Sequence, residues 1–173
     1  MYFRYRVEKK PANTQDNATN SIEQSRRQNL RSHFFFKINR SISIRSRAEL
    51  SWFRLASPKQ EGWLMYSDFN FQPVNKPYAV IMRVQFFEAP DYDTRLYAYE
   101  NDVLYSYSLP AFFDNGFRYY LVVNYNWNKK LACWIKWAQT IKKDIVSTGS
   151  GTDEVAGNKH SEIRLQFCYS ITN

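Results

Sequence analysis

Phe117-Arg118-Tyr119-Tyr120-Leu121-Val122-Val123-Asn124-Tyr125-Asn126-Trp127 is written with a period of two over its eleven residues. Phe117, Tyr119, Leu121, Val123, Tyr125 and Trp127 fall on one side, and Arg118, Tyr120, Val122, Asn124 and Asn126 on the other. Successive side chains of a strand point to opposite faces, so this stretch reads as a long strand with one apolar face. Its aromatic ends add a second property. An apolar band with aromatic residues at both margins suits a strand that crosses a membrane as part of a β-barrel.

The same pattern spreads outward in both directions. Residues 2–8 set Phe3, Tyr5 and Val7 against Arg4 and Arg6; residues 30–38 set Leu30, Phe34, Phe36 and Ile38 against Arg31, His33 and Lys37. Strands are predicted further at 42–54, 62–72, 78–87, 131–141 and 161–171, the last carrying Ile163, Leu165, Phe167, Tyr169 and Ile171 opposite Glu162, Arg164, Gln166 and Ser170. Within 131–141, Trp134 and Trp137 fall on opposite faces. The connections are expected to alternate in length: long at 11–29, short at 39–41, intermediate at 56–61, short at 73–77, long at 88–116, short at 128–130 and long at 142–160. Short turns on one side and long loops on the other are the habit of outer-membrane barrels, whereas Greek-key sandwiches have no reason to alternate in this way. Region 88–116 sets the count. As one external excursion it leaves eight strands; if it contributes a hairpin to the sheet, turning at Glu100-Asn101-Asp102, there are ten. The external excursion is preferred, because the segment before that turn is short for a membrane strand, which needs about 9–11 residues.

Composition agrees with this reading and with one rival. Aromatic residues make up 18% of the 173 positions, yet the mean hydropathy is −0.60. A barrel with a polar interior accounts for both numbers, and so does a soluble β-sandwich with an aromatic core. No run approaches the roughly 18 apolar residues of a membrane helix. The opening residues, Met1 to Pro11, have neither the apolar core nor the small-residue cleavage site of a secretory signal. An exported barrel needs such a signal, so on the barrel reading this chain is expected to be a fragment of a longer protein. The net charge of +8 is dispersed along the strands with no nucleic-acid signature, and no direct nucleic-acid contact is expected of this segment. Cys133 shares the parity of outward Ile135 while Cys168 points inward, which argues against a disulfide. His33 and His160 are far apart, and no metal-ligand spacing is present.

The charged residues of the strands share one face. Arg45, Arg47, Glu49, Asp68, Arg83, Arg118, Lys136, Glu162 and Arg164 are all assigned inward and are the candidate lumen residues. Two readings are open: a selective channel lined by charge, or a filled lumen held by cross-strand ion pairs. The second is favoured, because a barrel of eight to ten strands is narrow enough to be filled by its own side chains. Loops on a rigid scaffold carry recognition, which makes Asp91, Tyr92, Asp93, Arg95, Glu100, Asp102, Asp153 and Glu154 the candidate loop residues. Their carboxylates lack the spacing of a calcium loop and read by default as solvated surface acids. No nucleophile elbow, phosphate-binding loop or carboxylate pair is present, so neither catalysis nor a cofactor is expected. The five tryptophans, Trp52, Trp63, Trp127, Trp134 and Trp137, fit the headgroup level of a bilayer; a soluble core or a sugar-stacking platform is the alternative.

Two stretches are more specific than any periodicity. Asp91 to Phe113, DYDTRLYAYENDVLYSYSLPAFF, and Thr148 to Ser170, TGSGTDEVAGNKHSEIRLQFCYS, resemble the C-terminal region of helix-hairpin-helix domain-containing proteins of Bacteroidetes-type bacteria. The matching positions are Arg95, Tyr97 to Tyr105, Ser108, Pro110, Gly149 to Gly151, Asp153, Glu154, Gly157, Asn158, Ser161 and Glu162, and the likeness runs over nearly the whole chain. The resemblance implies a longer protein with a signal peptide and a helix-hairpin-helix part, followed by an outer-membrane barrel whose last third is this chain. The ending Tyr169-Ser170-Ile171-Thr172-Asn173 departs from the family's habit of closing on an aromatic residue.

The expectation is therefore an all-β chain, 1–173, forming a single antiparallel up-and-down meander of about eight to ten long strands, a transmembrane β-barrel or the C-terminal part of one. It is expected in a Gram-negative outer membrane, in contact with its lipid and with the N-terminal part of the same protein, in a structural, binding or transport-assembly role. The alternative is a soluble β-barrel or sandwich binding a carbohydrate or lipid.

Overall fold

The computed structural model describes residues 1–14, 21–55, 59–143, 145, 147–148 and 155–171. Eight long strands form one antiparallel meander: β1 (Tyr2–Thr14), β2 (Ser21–Lys37), β3 (Ile42–Arg54), β4 (Gln60–Phe71), β5 (Tyr78–Ala89), β8 (Asp114–Asn126), β9 (Leu131–Lys142) and β12 (Lys159–Tyr169). Each pairs with its neighbours in the order β1-β2-β3-β4-β5-β8-β9-β12. Two short ladders complete the described structure: β6 (Leu96–Tyr97) with β7 (Ala111–Phe112), and β10 (Ser147–Thr148) with β11 (Val155–Ala156). A 3-10 turn spans Tyr92–Thr94. Among the described residues no ladder joins β1 to β12, so both are edges of an open sheet. Among the described residues no helix is long and apolar enough to cross a membrane, which says nothing of strands.

The period-two pattern fixes the register. Val80, Val123 and Ile135 lie in one row across β5, β8 and β9, and Met82, Leu121, Trp137 and Ile163 in the next. On the opposite face Asp68, Arg83, Tyr120 and Ala138 line up. A slip of one residue would turn every such row over. Turn chemistry supports the same register at the short connections. Asn39 Oδ1 accepts from the amides of Ser41 and Ile42 at 2.8 Å each, Asn128 Oδ1 accepts from Lys130 and Leu131 at 2.8 Å each, and Asn75 adopts a φ of 60°. Short Asn side chains close turns in this manner.

Two expectations need correcting. The polar stretch 11–29 is not one long loop, because β1 runs to Thr14 and β2 begins at Ser21, paired in register along that whole length. Polar composition signalled a loop, but a strand that faces solvent on both sides is polar too. The second concerns region 88–116. It adds no strand to the main sheet, in keeping with eight strands over ten, but it is not external. Its β6–β7 hairpin folds back onto the sheet: Leu96, Ala98 and Phe112 are buried in one cluster with Leu64, Tyr66, Phe87 and Ala89. The outcome is an inverted molecule. The face under the hairpin buries charge, while the other carries Met65, Met82, Phe86, Ile135 and Trp137 at 40–48% exposure.

Candidate functional site

The segment from Asp91 to Phe113 crosses the charged face and meets the strands in their spatial order. The Asp93 carbonyl accepts from Arg27 of β2. The Tyr97 carbonyl accepts from Arg47 of β3 at 2.8 Å, and the Tyr99 carbonyl from Arg83 of β5 at 2.7 Å. Glu100 then takes Arg118 of β8 in a two-bond fork, at 2.6 and 2.8 Å, and Lys136 of β9 at 3.3 Å. Asp102 takes the same Lys136 at 3.1 Å and Arg164 of β12 at 2.6 Å. Backbone carbonyls thus serve the first strands and carboxylates the last three. The segment is a strap laid across the sheet.

Most cations under the strap are matched. Asp68 binds Arg83 through two bonds of 2.5 and 2.7 Å, with both side chains 1% exposed. The Arg83 guanidinium also lies 3.6 Å from the centre of the Tyr66 ring. Glu162 reaches Arg118 at 3.6 Å and also contacts Arg164. Tyr120 Oη accepts from the Asn101 amide and side chain at 3.1 Å each, which holds the strap between its two acids. Bidentate guanidinium–carboxylate pairs are the strong, directional form of ion pair. Burial makes each expensive to break, since the survivor is left charged in a poorly solvated place.

All nine candidate lumen residues lie on this face. Arg47, Glu49, Asp68, Arg83, Arg118 and Lys136 are buried. Arg45 is exposed, because Asp68, its register partner, turns to Arg83 instead. Glu49 is held by Arg31 at 2.9 and 3.0 Å and by Arg47. The candidate loop residues divide. Asp153 and Glu154 lie outside the described residues. The Asp91 carboxylate accepts from the Gln60 side-chain Nε2 and Asp91 opens the 3-10 turn, and exposed Tyr92 packs edge-on to Phe113 at 5.4 Å. Arg95 stacks on Tyr92 at 4.1 Å and donates to Tyr97 Oη at 2.8 Å, a hydrogen bond that raises its pKa above that of an ordinary guanidinium. Glu100 and Asp102 correct the expectation of solvated surface acids, for both side chains are 0% exposed and carry the network.

That role was missed because the partners are 18 to 62 residues away in sequence. A signal was available: β8, β9 and β12 carry two acids, Asp114 and Glu162, and Asp114 is taken by Lys142, so further acids for Arg118, Lys136 and Arg164 had to come from outside the strands. Sequence reasoning also passed over Tyr120, whose hydroxyl anchors the strap. Among the described residues no group of three or more His, Cys, Asp or Glu side chains could hold a metal ion. Cys133 and Cys168 are free thiols.

The outer face has one layout on the central pair β5 and β8. On β5 it runs Tyr78, Val80, Met82, Val84, Phe86, and on β8 Phe117, Tyr119, Leu121, Val123, Tyr125. Aromatic residues stand at both margins and aliphatic ones between. Phe86 meets Phe117 at 4.9 Å at one margin, and Tyr125 meets Trp127 at 5.0 Å at the other. Trp52 and Trp63 share the first margin, whereas Trp134 lies on the charged face beside Asn124 and Gln166. No family model matches this chain, and no curated protein or solved structure does.

Proposed function

We propose that this chain is a segment of an outer-membrane β-barrel with a filled, ion-paired interior, serving a structural, binding or transport-assembly role without catalysis. The observation that carries the reading is the inversion of the two faces. Water-soluble sheets bury their apolar side and solvate their charges; here Arg83, Lys136, Glu100 and Asp68 are buried while Met82, Phe86, Ile135 and Leu165 are open. Contiguous apolar surface on this scale marks a place that meets lipid or another apolar body. The margins give a length. From Tyr78 to Phe86 is about 27 Å at roughly 3.4 Å per residue, close to the apolar band of about 25 Å in such barrels. The resemblance to the barrel region of helix-hairpin-helix proteins points the same way, and it makes the N-terminal part of that longer protein the natural neighbour of the open edges.

The rival, a soluble carbohydrate- or lipid-binding β-domain, needs a second layer over the outer face. None of the described residues supplies one.

Size exclusion and far-UV circular dichroism in plain buffer and in detergent micelles separate the two. The proposal expects strand signal and a discrete particle only in detergent. A monodisperse, β-rich monomer in buffer would overturn it. Met82→Arg refines the test, since Met82 is 46% exposed in the middle of β5. It should reduce folding into vesicles by about 2–4 kcal/mol if lipid lies against it, and by no more than about 0.5 kcal/mol if water does.

A further inference from the structure

The ion pairing fails at one place. Between β1, β2, β3 and the start of the strap lies a recess of ≈ 210 Å³ into which Arg4, Arg6, Arg27, Arg31 and Arg95 converge. Two carboxylates line it for five arginines: Glu8 is shared between Arg6, at 3.3 Å, and Lys10, and Glu49 between Arg31 and Arg47. Arg4 has no carboxylate partner among the described residues. Arg27 and Arg95 hydrogen-bond to backbone carbonyls and a tyrosine hydroxyl, neutral acceptors, and share the Asp93 carboxylate as a neighbouring charge without an ion-pair contact.

The arrangement is directional as well as basic. Arg4 and Arg31 are cross-strand partners, Arg6 faces Asn29 and Glu8 faces Arg27, so the guanidiniums rise from one face in three successive rows. Arg95 closes the recess from the strap, its position set by the 3-10 turn and by Tyr92 beneath it. Planar guanidiniums from several directions are the means by which proteins hold tetrahedral oxyanions through paired N–H bonds. The recess opens on the charged face, away from the apolar one, so its occupant comes from water.

We propose that this recess is a binding site for a soluble phosphate-bearing anion, with Arg4, Arg6 and Arg95 as its principal ligands. The inference rests on the recess and not on the membrane reading, so the two can fail separately. The test is calorimetric titration with pyrophosphate and inorganic phosphate, in whichever solvent gives strand signal by circular dichroism. Saturable one-to-one binding of pyrophosphate is expected, weakened about ten-fold by either Arg4→Ala or Arg95→Ala. Arg4 is exposed on an edge strand, so its removal leaves folding intact, and the dichroism of each variant verifies that. A control removes two charges elsewhere: Arg40→Ala with Lys76→Ala, both in exposed turns. Equal weakening in the control would reduce the effect to the net charge of +8 and overturn the proposal. Absence of saturable binding would overturn it too, as would a short-chain phosphatidylglycerol that outcompetes pyrophosphate, which would assign the recess to a lipid headgroup.

Discussion

The charged face has two halves that solve one problem differently. From β4 to β12 it carries Arg83, Arg118, Lys136 and Arg164, each within reach of a carboxylate, two of which come from the strap. From β1 to β3 it carries Arg4, Arg6, Arg27, Arg31, Arg45 and Arg47, and the carboxylates that line the recess among them are Glu8 and Glu49. One half is closed electrostatically and the other is left in deficit. Charges buried without partners are driven out of folded structures, and the unmatched arginines obey this, since Arg4 and Arg45 are exposed while the matched Arg83, Arg118 and Lys136 are buried. Matched charge permits burial and hence rigidity. Unmatched charge demands access to water or to an anion.

The largest effect belongs to the closed half. Glu100→Ala removes the acid shared by Arg118 and Lys136 and leaves two buried cations short of a partner. Loss of about 3–5 kcal/mol of folding stability is expected, read as a shift of the urea midpoint; a loss below 1 kcal/mol would show that the strap is not structural. Gly116→Ala tests packing in that same half. A Cβ there would stand 2.6 Å from the Phe87 ring and 2.8 Å from the Ile141 carbonyl, a backbone atom that cannot swing aside. Overpacking of this sort costs about 1–3 kcal/mol, measurable by thermal melting. Smallest is Arg4→Ala in the open half, expected to change stability by no more than about 0.5 kcal/mol. A larger loss would mean that the two halves are equally closed and would erase the contrast.

Much of this was legible from the sequence. Alternation located all eight strands, and β3 was bounded correctly at both ends. Parity assigned every candidate lumen residue to its face, because a period of two needs no knowledge of the neighbours. Two things were hidden. The extensions of β1 and β2 beyond the apolar band have no apolar face to announce them, so Pro11 to Thr14 and Ser21 to Asn29 read as loop. The destination of Glu100 and Asp102 was hidden for a different reason. Loop acids look alike whether they meet water or arginine, and only the shortage of acids on β8, β9 and β12 distinguishes them. The anion recess depends on both blind spots, since Arg27 lies in the misread extension and Arg95 on the strap.

The strap also acts as a ruler. Its acids stand two residues apart, Glu100 then Asp102, and reach cations on three successive strands that follow it in the chain. Were β9 to pair one residue out of step, Lys136 would swing to the apolar side, and Ile135 or Trp137 would be presented to two buried carboxylates. Hydrogen bonding along the backbone is indifferent to such an error, but the strap is not. A strand that joins this sheet therefore has its register read by charge at a second location, and the segment least like a strand proofreads the alignment of the strands that come after it.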